Sequence, residues 1–94
     1  MTIEVRIPTI LRSYTGGEKV AEGKGETLDE LFSDLDGRHS GLRERLVEGD
    51  AQDSKLRRFV NVYLNDEDVR FLGGLATPVA DGDVVTILPA VAGG

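Results

Sequence analysis

Ninety-four residues with a formal net charge of −6 suffice for one modest hydrophobic core and are too few for two. With no basic patch visible to displace counterions from phosphates, the charge argues against a nucleic-acid or anionic-membrane binder; the acidity fits either a partner with a basic surface or the plain acidic surface common in soluble proteins. The absence of cysteine excludes disulfides, zinc–thiolate sites and thiol nucleophiles together, so any sulfur chemistry here draws its sulfur from elsewhere.

From Thr2 to Ile7 the residues alternate, with Ile3, Val5 and Ile7 on one face, which predicts a half-buried strand beginning almost at Met1. No signal-peptide core and no apolar run of membrane-spanning length is present, and the expectation is a soluble, cytoplasmic protein. Beyond Pro8 a segment Thr9 to Thr15 leads to Gly16-Gly17, a turn signal, and a weaker strand from Glu18 to Glu22, together predicting a hairpin with a long loop. A phosphate-loop reading of Gly16-Gly17 fails because no Gly-Lys-Ser/Thr follows.

Gly23 to Glu26 breaks the pattern, and Thr27 with Glu30 carries a capping-box signature. Leu28, Leu31, Phe32 and Leu35 then recur at helical spacing, and Gly37 is placed to close the helix in a left-handed cap. Asp29, Asp34 and Asp36 read as its solvated face rather than as acid/base or metal groups. Between Arg38 and Lys55 one short helical turn carrying Leu42 and Leu46 is expected, then a surface loop from Gly49 to Ser54. His39, the only histidine, cannot by itself assemble a zinc site or a triad.

Leu56 to Asn65 reads as a strand with Val60, Val62 and Leu64 on one face and Phe59, Asn61 and Tyr63 on the other. A turn at Asn65 to Asp68 leads to a short strand at Val69 to Phe71; its acids lack the spacing of a calcium loop. Asp81-Gly82-Asp83 turns the chain into a final strand, Val84 to Leu88. The order β-β-α-β-β-β is an α+β layout, a small mixed sheet covered on one face by one main helix. If Val85 and Ile87 face that helix, then Val84, Thr86 and Leu88 lie on the open face beside Phe59 and Tyr63. Phe59, Tyr63, Val84 and Leu88 are the expected partner-docking residues, against a homodimer interface or scattered surface apolar groups.

The chain then runs Pro89-Ala90-Val91-Ala92-Gly93-Gly94. Proline cannot donate a ladder hydrogen bond, so Pro89 is expected to mark the end of pairing, dividing a domain at 1–89 from a flexible tail at 90–94. Glycines without Cβ can thread a narrow channel, so Gly93 and Gly94 are read as presenting the α-carboxylate to a partner. With a reference pKa of roughly 3.5 that group is an anion and a poor electrophile until activated, as by ATP-dependent adenylation. The plainer alternative is an ordinary frayed terminus.

The layout, the Asp81-Gly82-Asp83 turn, the final strand and the Gly93-Gly94 end together resemble the ubiquitin-like β-grasp sulfur carriers of the MoaD/ThiS family. More narrowly, IPTILR from Ile7, RFVNVYLNDEDVRF from Arg58 and GGLATPVADGDVVTILPAVAGG from Gly73 are similar to the CysO-type carriers of actinobacterial cysteine biosynthesis. The likeness is weakest between Gly37 and Lys55. It implies that Gly94 is adenylated by an E1-like enzyme using ATP and converted to a thiocarboxylate. A pyridoxal-phosphate enzyme, a cysteine synthase homologue, then joins that sulfur to an activated serine, and a zinc metallopeptidase releases cysteine. The chain itself is expected to bind no cofactor or metal and to act as a protein co-substrate rather than an enzyme. Sulfur donation to molybdopterin, thiamin or a specialised thio-metabolite, lysine conjugation as a ubiquitin-like modifier, and a binding module with an inert tail remain the alternatives.

Overall fold

The computed structural model of the chain describes residues 2–49, 55–57 and 60–89. The alternating segment forms β1 (Ile3–Arg6), whose Ile3 and Val5 are buried. It pairs antiparallel with β2 (Val20–Gly23), Ile3 opposite Gly23 and Arg6 opposite Val20. The segment between them is not an open hairpin loop. Pro8, fixed at φ −70, starts a 3-10 helix over Thr9–Thr15, which buries Leu11 and Thr15 and ends at Gly16 in the left-handed region, φ 66.

Helix α1 (Leu28–Asp36) buries Leu28, Leu31, Phe32 and Leu35, the stripe read from the sequence. The Thr27 hydroxyl accepts from the Glu30 N–H at 3.2 Å, while the Glu30 carboxylate reaches one residue further back than a standard capping box, accepting from the Glu26 N–H at 3.2 Å. The expected left-handed cap at Gly37 does not form: its φ is −63, and the N–H groups of Arg38 and His39 continue onto the Leu35 carbonyl in a tightened last turn. The left-handed glycine is Gly41, φ 92, where the chain enters the short helix α2 (Leu42–Leu46).

The three aspartates of α1 are not a solvated face. Asp29 pairs with Arg43, Asp34 accepts from the Lys24 N–H at 2.9 Å and pairs with Arg38, and one oxygen of Asp36 accepts from the N–H groups of Gly41 and Arg43 at 3.0 and 3.2 Å. Asp36 thus satisfies N-terminal N–H donors of α2 from a different helix.

Strands β3 (Val47–Glu48) and β4 (Lys55–Leu56) form a separate two-stranded antiparallel sheet, unforeseen in the sequence. Lys55 and Leu56 therefore do not extend the long strand; β5 (Val60–Leu64) is its part in the main sheet, with Val60 and Val62 buried. Asn65 and Asp66, φ 49 and 73, make a two-residue turn with both central residues left-handed, the type that suits a hairpin's twist. The strand after it is β6 (Glu67–Asp68), not Val69–Phe71, which is a 3-10 turn because the Asp68 carboxylate captures the Arg70 N–H at 2.9 Å and Val69 drops into the core. The final strand β7 (Val84–Pro89) completes a mixed five-stranded sheet in the order β2-β1-β7-β5-β6.

One core joins the buried sheet face, α1 and α2, and its only buried aromatic among the described residues is Phe32. Aliphatic side chains fill the rest, as the scarcity of aromatics required.

Candidate functional site

Everything that positions the C-terminal end passes through β7. It is the middle strand of five, parallel to β1, with Val85 opposite Val5, and antiparallel to β5, with Ile87 opposite Val62. Val85 and Ile87 are buried, so the strand is clamped by ladders on both sides and packing beneath. The last register pair among the described residues is Val60 with Pro89, the residue that has no N–H to give. Gly93 and Gly94, and the boundary expected at 89/90, lie outside the described residues, as does Phe59.

Tyr63, Val84 and Leu88 lie on the sheet face opposite the core. Thr86 sits directly across from Tyr63 and Leu88 across from Asn61, so Val84 and Leu88 are diagonal neighbours of Tyr63 on either side. Leu88 is 46% exposed, whereas Tyr63 and Val84 are half-buried. This face is not continuously apolar: Arg6 lies opposite Thr86 and Glu4 opposite Val84, joined by an ion pair at 3.1 Å. Val20, opposite Arg6 and also exposed, belongs to the same row and was missed because β2 has too little alternation to announce its face. Phe71, 88% exposed, was also missed; read as a strand residue, it is instead turned outward by the 3-10 turn.

The sequence offered no basic patch, yet folding assembles a small one where β7 ends. Arg70 donates to the Asn61 side-chain oxygen, to the Val60 carbonyl at 2.6 Å and to the Arg57 carbonyl at 3.1 Å, while Arg57 donates to the Glu44 carbonyl at 2.6 Å. Thirteen residues apart in sequence, the two arginines become neighbours because the turn after β6 folds back over the start of β5. Arg70 also forms one wall of an open groove of about 390 Å³, lined further by Lys55, Leu56, Gly73, Gly74 and Leu75, which holds no carboxylate or histidine for acid–base work.

Among the described residues, no group of three or more His, Cys, Asp or Glu side chains converges as metal ligands would. Asp34 is held below the usual carboxylate range, chiefly by the Lys24 N–H and then by Arg38, with partial desolvation opposing; it ties α1 to the segment that follows β2. No described helix is long and apolar enough to cross a membrane.

The chain matches the ThiS family over residues 5–94. It is 60% identical to sulfur carrier protein CysO of Mycobacterium tuberculosis, with the whole of both chains covered. Small archaeal modifier protein 3 of Haloferax volcanii is 32% identical over 96 aligned residues, again covering both chains entirely. Among solved structures, it is similar to the Amycolatopsis orientalis BexX/CysO complex, with a TM-score of 0.90 and 59% identity over 98% of this chain and 99% of that one. The architecture is the ubiquitin-like β-grasp, as expected from the sequence.

Proposed function

The chain belongs to the ThiS family, and from that premise we propose that it is a sulfur carrier whose working group is the Gly94 carboxylate. The observation that carries this reading is the extent of the family match, which runs to residue 94 and so takes in both terminal glycines. Identity of 60% to a sulfur carrier along the whole chain supports it. The carboxylate attacks the α-phosphorus of ATP in a partner's site, releasing pyrophosphate and leaving an acyl adenylate. A sulfide equivalent then displaces AMP from the carbonyl, and the thiocarboxylate formed is the sulfur donor. Having no cysteine, the chain has no thiol of its own to intercept the adenylate.

The acceptor we propose is an activated serine, joined to the sulfur by a pyridoxal-phosphate enzyme of the cysteine synthase type. A zinc metallopeptidase then releases cysteine and regenerates the carrier. The CysO of Amycolatopsis orientalis forms a complex with BexX, and we place a protein of that kind among this chain's partners. ATP, pyridoxal phosphate and zinc belong to those partners. The carrier is a co-substrate, delivering its carboxyl on the tail at 90–94 while the open sheet face, with Phe59, Tyr63, Val84 and Leu88, docks. Ordering that tail costs roughly 1–2 kcal/mol per residue, which docking must offset.

The test is the intact mass of the protein isolated from its own cells, with and without a thiol-alkylating reagent. A species about 16 Da heavier that takes up the alkyl group, in a chain without cysteine, is the expected result. An unmodified mass, unchanged after incubation with ATP, sulfide and the activating enzyme, rejects the reading. The similarity to an archaeal modifier favours one second reading, in which a target lysine amine displaces AMP instead. Isopeptide-linked adducts without any thiocarboxylate would decide for it.

A further inference from the structure

The charges along β7 are distributed unevenly. Where the strand begins, the turn at Asn65 and Asp66 meets the turn at Asp81 to Asp83: the Asn65 amide donates to the Asp83 carboxylate at 3.1 Å, and the Asn65 N–H donates to the Val84 carbonyl at 2.9 Å. Asp66, Glu67 and Asp81 are exposed there, with Glu4 opposite Val84. Where the strand ends, the exposed cations Arg57 and Arg70 lie beside Val60, the residue paired with Pro89. Arg58, outside the described residues, adds a third cation by sequence. Lys55 contributes less, because Glu48 faces it across the β3–β4 pair. Two other acids lie near: Glu44, which meets Arg57 through its carbonyl, and Asp68, whose carboxylate accepts from the Arg70 N–H at 2.9 Å rather than from its guanidinium.

Six residues of strand separate the two ends by roughly 17–20 Å, about twice the screening length of ~8 Å at physiological salt. A partner approaching either end therefore meets that end's own sign. Arg6, Arg38 and Arg43 sit in ion pairs with carboxylates, whereas the described bonds of Arg57 and Arg70 go to carbonyl and amide oxygens, which fix their guanidinium groups without neutralising them.

We propose that Arg57 and Arg70 form a basic collar at the root of the tail that docks on a carboxylate-rimmed entrance of the partner enzyme. This rests on the carrier reading and adds to it the charge of the surface that receives the tail. The carrier's net charge would repel such an entrance from every other side; the collar makes the tail end the side that is attracted. Approach is thereby oriented before any contact forms, which acts on association rate more than on dissociation.

The probe is Amycolatopsis orientalis BexX, the partner of a similar carrier, immobilised and titrated with the full chain at about 0.02 M and about 0.3 M salt. The wild-type association rate is expected to fall about tenfold at the higher salt. Arg57→Gln together with Arg70→Gln should slow association about three- to tenfold at low salt, with little change at high salt. Arg70→Lys keeps the charge while losing the fork of hydrogen bonds, and should stay within about twofold of wild type. Asp66→Asn with Asp81→Asn, at the far end, should not slow association, and thermal melts report whether each variant is folded. Equal rates for Arg70→Lys and a folded Arg70→Gln overturn the proposal, since the arginine would then serve structure alone. A salt-independent wild-type rate overturns it too, as does faster association of the glutamine variants, the result expected if the collar instead holds the chain's own α-carboxylate. Failure of the wild type to bind BexX also rejects the collar, while the mass experiment decides the carrier reading separately.

Discussion

Gly23 and Gly25 look alike in the sequence, as two breakers ahead of a helix, but they face different neighbours. A Cβ on Gly25 would stand 2.7 Å from the Leu31 backbone nitrogen and 3.0 Å from the Glu30 carbonyl carbon, atoms held in the first turns of α1. A Cβ on Gly23 would meet Leu31 Cδ1 at 2.7 Å and Leu35 Cδ2 at 3.1 Å, ends of side chains that can turn aside. Gly25→Ala is therefore expected to cost about 1–3 kcal/mol, as overpacking does, and Gly23→Ala distinctly less. Urea denaturation of the two variants checks this, and equal losses would mean that backbone proximity is not what Gly25 provides. The breaker signal was legible in the sequence; the reason was not, because close approach is a property of what the chain packs on. Thr27 was legible in full, since a cap is made by residues three apart.

Between elements, the sequence conveyed periodicity but not partners. The stripe of α1 and the alternation of β1, β5 and β7 were readable because each is a local repeat that one buried face imposes. Asp29, Asp34 and Asp36 were misread for the opposite reason: their partners are Arg43, the Lys24 N–H with Arg38, and the start of α2, of which only Arg38, four residues on from Asp34, follows from local spacing. Asp34 makes this testable through pH. Its folded-state pKa is lowered, first by the Lys24 N–H, so its contribution to stability is present in full above the unfolded value of ~3.9 and is lost as pH falls through the lowered folded value. Asp34→Asn should therefore destabilise the protein at neutral pH by no more than about 1 kcal/mol, solvent screening included, and the gap from wild type should close in acid below about pH 4. Melting curves at neutral and acid pH give the answer; a gap that persists undiminished in acid would assign the loss to packing rather than charge.

At the scale of the molecule, β7 connects folding to delivery, and its two faces do so separately. The mixed sheet and its main covering helix could be read from the chain, as could the turn that feeds the last strand. The β3–β4 pair and the arginine pair could not, since both depend on segments that meet only in the fold and share no local pattern. Ile87 and Leu88 are neighbours in sequence, yet the first is 1% exposed beneath α1 and the second 46% exposed on the open face. Ile87→Ala should cost about 2–5 kcal/mol of stability, because the cavity opens where the ladder to β5 meets the core. In the fraction that stays folded, β7 keeps its register to Pro89, so partner affinity should hold. Leu88→Ala should change stability by less than about 0.5 kcal/mol and weaken partner binding about tenfold, as loss of an apolar anchor does. Denaturant titration and equilibrium binding to BexX, run on both variants, separate the two roles. If Leu88→Ala binds like wild type, the open face is not where the carrier docks, and recognition would rest on the collar and the tail alone.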